Sequence, residues 1–137
     1  MKAMFNTSYS QNLFHLWLFV YRVTLSIFML THGLPKLKML MSWHDVQFID
    51  PIGLGPLFSL ILVVFAEFFC SVLIILGLAT RFAAIPLIIT MLVAVFIFHG
   101  SHPFDVKEVG LLYLLSYITL LITGAGRLSF DYLIRKK

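Results

Sequence analysis

The apolar residues of this chain fall into four long runs, separated by stretches rich in glycine, proline and polar side chains. A membrane-spanning helix needs about 20 mostly apolar residues, and each run meets or approaches that length. The pattern therefore predicts an all-α membrane protein, folded as one domain over residues 1–137 into an antiparallel bundle of four transmembrane helices. The predicted spans cover residues 13–34, 56–78, 82–99 and 106–123.

The connection between the first two runs, residues 35–55, is the longest. Leu37 and Leu40 stand at helical spacing in it, and Trp43 and His44 follow. Tryptophan favours the headgroup zone of a membrane. We expect a short interfacial helix on the outer face, and a plain loop over the mouth of the bundle is the alternative.

Composition and charge narrow the class of protein. Hydrophobic residues make up 61% of the 137 residues and charged residues 12%, whereas a soluble domain carries about 25% charged residues. The solvent of this chain is therefore lipid. The net charge of +4 comes largely from near the ends, and no basic cluster suited to phosphate tracking occurs, so no nucleic-acid partner is expected.

The orientation follows from the lysine and arginine residues outside the runs. The first run is too long for the apolar core of a signal peptide, so we interpret it as a retained span. Four spans put both termini and the second connection on one side. That side carries Lys2, Arg81, Arg127, Arg135, Lys136 and Lys137, and the other carries Lys36, Lys38 and Lys107. The positive-inside rule predicts a multi-pass protein of the plasma (cell inner) membrane with both termini cytoplasmic.

Two charges interrupt the apolar runs. Arg22 lies in the first and Glu67 in the second, and a rise of 1.5 Å per residue places both near the midplane. On a helical projection Arg22, Ser26 and Lys36 share one narrow stripe. Because a lone charge in hydrocarbon is costly, we expect a buried Arg22–Glu67 ion pair. Such a pair either locks two helices together or forms the centre of a ligand or proton site.

Further polar residues gather at the outer ends of the spans. His32, Lys36, His99 and Glu108 would reach the same face and, with Glu67, line a cavity that opens outward. Tyr113 on the fourth run is either a core aromatic or a surface for a quinone ring. The predicted ligand-binding set is Arg22, His32, Lys36, Glu67, His99, Glu108 and Tyr113.

Other chemistry is not indicated. The histidines lack HxxxH or HExxH spacing, so we predict no metal site. The single cysteine, Cys70, allows no intrachain disulfide and no CxxC motif, and we interpret it as a core residue. We assign no catalytic residue.

These residues, in this order, resemble the DoxX family of small four-helix membrane proteins. The similar pieces are Arg22 with His32-Gly33-Leu34-Pro35-Lys36 (HGxxK in the family), Glu67, residues 76–84 (LGLxTRxAA), Met91 to Ala94 with His99, Glu108, and residues 124–131 (GxGxxSxD). They extend over nearly the whole chain. The family often has paired glycines after the acid, where this chain has Phe68-Phe69-Cys70-Ser71.

The resemblance implies a four-helix membrane fold and a redox-associated role. Some relatives are subunits that pass electrons from sulfur-compound oxidation to quinone, and others belong to oxidative-stress assemblies. The chain has no cofactor motif of its own, so redox chemistry here would need a bound quinone or a partner subunit. The implied partners are the lipid bilayer and membrane or envelope redox subunits, and a homo-oligomer is left open.

Three functions follow as hypotheses. The first is a redox-associated subunit that binds a quinone-like molecule in the outward-opening pocket around Arg22 and Glu67. The second is a non-enzymatic scaffold or anchor for partner proteins. The third is a small proton-coupled transporter, which an intramembrane glutamate suits but which the unbroken spans disfavour.

Overall fold

A computed structural model describes residues 8–42 and 46–136. It contains four helices that are long and apolar enough to span a membrane, and a short helix near the carboxyl terminus. They are α1 Gln11–Ser42, α2 Pro56–Leu76, α3 Thr80–Phe98, α4 Phe104–Thr123 and α5 Phe130–Arg135. No strand occurs within those two ranges. The all-α fold with four spanning helices is confirmed.

The first helix is longer than the predicted first span. It passes through Pro35 without a break and ends at Ser42. Thirty-two residues extend over about 48 Å, more than the hydrocarbon core of about 30 Å, so one part of α1 lies beyond that core. The interfacial helix expected in the first connection is therefore the last turns of α1 rather than a separate element. Trp43 and His44, which we assigned to it, lie outside the described residues.

The bundle has two ends, the terminal end and the loop end. The terminal end is where α1 begins, α2 passes into α3, and α4 passes into α5. The loop end is where α1 finishes, the segment 46–55 leads into α2, and α3 turns into α4. The core between them is apolar and draws on every spanning helix, with Met29, Ile74, Leu87 and Leu120 all fully buried. Large apolar side chains such as Ile122 point outward, as lipid contact requires.

At the terminal end, the turn between α2 and α3 is tied to α5. Gly77 has a positive φ of 67°, which a glycine adopts without strain. Its carbonyl oxygen accepts the N–H of Asp131 (2.8 Å). The Asp131 carboxylate in turn accepts the N–H groups of Ala79 (2.6 Å) and Thr80 (3.0 Å). The LGLxTR and GxGxxSxD segments are thus two halves of one contact.

At the loop end, Asp50 holds the segment that leads into α2. Its carboxylate accepts the hydroxyl of Ser59 (2.7 Å) and the N–H groups of Gly55 (2.7 Å) and Leu54 (3.1 Å). These bonds favour the ionised carboxylate, so the pKa of Asp50 lies below its ordinary value, with the Ser59 bond as the largest cause. The segment is thereby fixed against the start of α2.

Candidate functional site

The buried acid of α2 is paired with a lysine of α1. Lys36 Nζ lies 2.6 Å from both carboxylate oxygens of Glu67. The Glu67 side chain is 5% exposed and that of Lys36 is 29% exposed. The long aliphatic stem lets the ammonium group reach the acid from a helix turn near the loop end. This pair is the ionic centre of the site.

A close helix contact places the two partners opposite each other. A Cβ atom on Gly33 would lie 2.9 Å from both the carbonyl carbon and the carbonyl oxygen of Glu67. Only a residue without a side chain lets α1 approach the backbone of α2 this closely. Gly33 supplies the close approach from the α1 side, since the residues that follow the acid on α2, Phe68 to Ser71, include no glycine.

The expected ion pair between Arg22 and Glu67 is not formed, and that prediction is corrected. The Arg22 guanidinium donates instead to the carbonyl oxygens of Ile74, Ile75 and Leu128. The prediction placed Arg22 and Glu67 at the same depth because it measured each position from the end of its apolar run. The observed register puts Gly33 opposite Glu67. Arg22 lies about 16 Å from Gly33 along α1, at 1.5 Å per residue, and its side chain reaches the last turn of α2.

Arg22 therefore has a structural role at the end of α2 instead of the predicted ion pair with Glu67. The final carbonyl groups of a helix lack partners within the helix, and a cation there is favourable. Arg22 is 1% exposed and satisfies the end of α2 while holding Leu128, which precedes α5. It stabilises the terminal end rather than the ligand site.

A polar cavity of about 210 Å³ opens beside the Lys36–Glu67 pair. All four spanning helices contribute to its lining. The polar side chains in that lining are His32, Lys36, Glu67, His99, Lys107 and Tyr113, and Met29, Met91 and Val95 are among the apolar ones. A carboxylate, ammonium groups, imidazoles and a phenol thus face one small volume.

A second, mainly apolar cavity of about 390 Å³ lies on the other side of the same pair. The segment 47–52 covers it, and Leu62, Val63, Val93 and Phe98 form much of its wall. Lys36, Glu67, Ala94 and His99 line both cavities. The ion pair with His99 therefore separates a polar compartment from an apolar one.

Contacts between rings fix the orientation of several side chains that line the polar cavity. The His32 ring meets the Tyr113 ring edge-on at 6.0 Å, and Tyr113 stacks on Tyr117 at 6.2 Å. His99 Nδ1 lies 2.9 Å from Nδ1 of His102. The rings of His32 and Tyr113 are therefore positioned relative to each other, and His99 is held by a neighbour outside the cavity.

Glu67 and His99 are both positioned by π-helical segments, one in α2 and one in α3. One covers Phe65–Cys70, with Glu67 inside it, and the other covers Val93–Phe98, which His99 follows. The π-helix is rare and concentrates at functional sites, where the extra residue per turn redirects side chains. Here the two segments face the two cavities from α2 and α3.

The structure brings five of the seven predicted ligand-binding residues to the polar cavity: His32, Lys36, Glu67, His99 and Tyr113. Arg22 lies at the terminal end, and Glu108 is exposed outside the lining. Its neighbour Lys107 takes that place and donates to the carbonyl oxygen of Gly100 (2.8 Å). That these residues bind a ligand stays a prediction.

Sequence reasoning missed two features of the site. The first is Lys36 as the partner of Glu67, although Lys36 was already placed on the same stripe of α1 as Arg22. The second is the apolar cavity, which depends on how the segment 47–52 folds back. No periodicity in that segment indicates its position.

Comparison with known proteins gives a consistent result. The DoxX family model matches residues 17–100, which include Gly33, Lys36, Glu67 and His99. The chain is also similar to an uncharacterised protein of Haemophilus influenzae, with 36% identity over 75 residues. That match covers 52% of this chain and 50% of the relative, so the chain spans about half the length of the curated relative. No solved structure gives a significant match.

Proposed function

The chain belongs to the DoxX family of membrane proteins, and we propose that it binds a quinone-like small molecule at the Lys36–Glu67 pair as a redox-associated subunit. The observation that carries this proposal is the junction of a polar and an apolar cavity on one ion pair. A ligand with a polar ring and an apolar tail matches both compartments, since pockets combine apolar walls with a few placed polar groups.

The groups present fit such a ring. A quinone carbonyl accepts hydrogen bonds, and the Lys36 ammonium, the His99 imidazole and the Tyr113 hydroxyl are donors that line the polar cavity. The Tyr113 ring, stacked on Tyr117 and held edge-on by His32, offers a flat surface. When bound, a quinone supplies two-electron, two-proton redox chemistry.

Glu67 has two roles in the proposal. Its carboxylate keeps the Lys36 ammonium at the boundary between the cavities, and its Oε1 and Oε2 atoms can hold a proton. Phe48 and Ile52, which line the apolar cavity, exclude water from the tail side. Because the sequence has no cofactor motif of its own, electrons would come from a partner subunit in the membrane or envelope.

The proposal is tested by quinone binding to purified protein in mild detergent. We expect the protein to carry endogenous quinone after mild extraction, and a short-tailed ubiquinone to raise its melting temperature. Lys36→Met should weaken binding about tenfold or more, because it removes a charged donor. Lys38→Met, an exposed lysine outside both cavities, is the matched control and should change nothing.

A substitution in the wall of the apolar cavity tests whether that cavity holds the tail of the quinone. Val63→Phe places a larger side chain in that wall and should weaken a long-tailed quinone while leaving a short-tailed one unaffected. No endogenous quinone together with no thermal shift would refute the proposal. A Lys36→Met/Glu67→Leu double variant that folds and still captures its membrane partners would favour the scaffold hypothesis instead.

A further inference from the structure

A third concave region lies at the terminal end of the bundle, away from the two cavities beside the Lys36–Glu67 pair. It has a volume of about 690 Å³ and is bounded by the start of α3, the end of α4 and α5. Arg81, Arg127 and Arg135 line it, together with His15 and one acid, Asp131. Three guanidinium groups thus converge on one region with a single carboxylate nearby.

That carboxylate is already occupied. Both oxygens of Asp131 accept backbone N–H groups at the start of α3. Arg81 donates to the carbonyl oxygen of Ile122 (3.1 Å), and Arg127 donates to the side-chain oxygen of Gln11 (3.2 Å). Within residues 8–42 and 46–136, no carboxylate oxygen lies within 4.0 Å of a guanidinium nitrogen. The described part of the protein therefore leaves this positive charge without a direct counter-ion.

A polar atom in the same region also lacks a partner. His15 Nδ1 is buried and makes no hydrogen bond in the described structure. It lies beside Gly126, 3.3 Å from where a Cβ atom of that glycine would stand. A buried nitrogen without a partner is unfavourable, and an acceptor-rich ligand in the region would accept a hydrogen bond from Nδ1–H of the imidazole.

The apolar border of the region indicates where the ligand comes from. Phe82 is 78% exposed and Ile134 is 62% exposed, and both line the region. Phe82 lies in the first turn of the spanning helix α3, so acyl chains beside that helix are within reach of its exposed ring. Guanidinium groups bind phosphate through paired hydrogen bonds, and basic pockets between spanning helices bind anionic lipid headgroups. Phosphate recognition beside an exposed aromatic suits a phospholipid.

We propose that Arg81, Arg127 and Arg135 form a binding site for a phosphate group, supplied by the headgroup of an anionic phospholipid whose acyl chains contact Phe82. A free phosphate ion shares the headgroup chemistry but not the acyl contact. The site is separate from the cavities beside Lys36, so its test is independent of the quinone proposal.

Native mass spectrometry of the whole protein in detergent tests this site. Phosphatidylglycerol should bind in preference to phosphatidylcholine. The Arg127→Gln/Arg135→Gln double variant should lose about thirtyfold in phosphatidylglycerol affinity, as expected for two basic residues near an anionic headgroup. Lys38→Gln removes a positive charge at the loop end and should leave that affinity unchanged.

Two further measurements complete the experiment. Arg135→Gln alone serves as a folding control, because the Arg135 side chain makes no hydrogen bond or ion pair to any described residue. This variant should melt like the wild type and still bind less lipid. Competition with millimolar inorganic phosphate distinguishes a phospholipid headgroup from a free phosphate ion as the bound group. No competition supports a lipid, and full displacement together with equal thermal stabilisation supports free phosphate. Equal binding of both lipids, or unchanged binding by the double variant, would overturn the site.

Discussion

Glu67 is tolerated in an apolar helix because a neighbouring helix supplies its counter-ion. The two partners differ in exposure: the acid is 5% exposed and the lysine 29%. Removing one member of a buried pair is more damaging than replacing both, because a lone charge is left without solvation. The lysine can swing toward the membrane–water interface if its partner is lost, whereas the buried acid cannot.

This asymmetry gives a prediction for single and double variants. Lys36→Met should cost about 3–5 kcal/mol of stability, because it leaves a buried carboxylate unpaired. Glu67→Gln should cost less, because Lys36 can turn toward solvent. Lys36→Met/Glu67→Leu should recover most of the loss. Thermal melts in detergent measure all three, and equal losses for the two single variants would contradict the asymmetry.

Asp50 gives a second residue-scale prediction, which concerns pH. Its folded-state pKa lies below the ordinary value of 3.8 because Ser59 and two backbone N–H groups donate to the carboxylate. A depressed pKa contributes stability that is present in full above the ordinary value and is lost as the pH falls through the folded value. The wild type should therefore lose stability on acidification below about pH 4.

The matched variant is Asp50→Asn, which keeps the shape but not the charge. At neutral pH it should melt below the wild type, and the difference should shrink as the pH falls toward about 3. Melting curves across this range measure the difference. A gap that stays constant or widens at acidic pH would show that the Asp50 charge does not stabilise the loop end.

At the scale of elements, the register between α1 and α2 is set by one glycine contact. Gly33→Ala would push a methyl group to within 2.9 Å of the Glu67 backbone, so the helices must separate. Overpacking of this kind costs about 1–3 kcal/mol, and here it would also loosen the Lys36–Glu67 bond. We expect a lower melting temperature together with weaker quinone binding.

The control is Gly110→Ala, the same change in another spanning helix. There the added methyl group would meet a single atom, Cγ2 of Val95, at 2.7 Å, whereas at Gly33 it would meet three backbone atoms of Glu67 and Phe68. Its effect on stability should be the smaller of the two. A larger loss for Gly110→Ala would show that the contact between Gly33 and Glu67 does not determine the register.

The elements also show what could be read from the sequence. The apolar runs predicted the four spanning helices, and the polar stripe of α1 contained Lys36, the observed partner of Glu67. The predicted Arg22–Glu67 ion pair was wrong because we measured the depth of each charge from the end of its apolar run. The end of the first run is not the end of the helix, since α1 continues to Ser42. Register depends on side-chain shape, such as the missing Cβ of Gly33, which hydropathy does not encode.

At the scale of the whole molecule, charge is distributed unequally between the two ends. The terminal end carries Arg81, Arg127 and Arg135. In the described part of the loop end the lysines are Lys36, Lys38 and Lys107, and Lys36 is neutralised by Glu67. Asp50, Asp105 and Glu108 lower the net charge of that end further. This asymmetry is what the positive-inside rule uses, and it underlies the proposal that the terminal end faces the cytoplasm and that the ligand cavities open on the outer side.

Cysteine labelling in intact cells tests this orientation. Cys70 is the single cysteine of the chain and is buried, so a Cys70→Ala background can carry one new thiol at a time. Leu54→Cys at the loop end and Arg135→Cys at the terminal end are both exposed positions. A membrane-impermeant maleimide should label Leu54→Cys in intact cells and Arg135→Cys only after the cells are opened. The reverse pattern would place the cavities on the cytoplasmic side, where a quinone bound beside Lys36 would exchange protons with the cytoplasm instead.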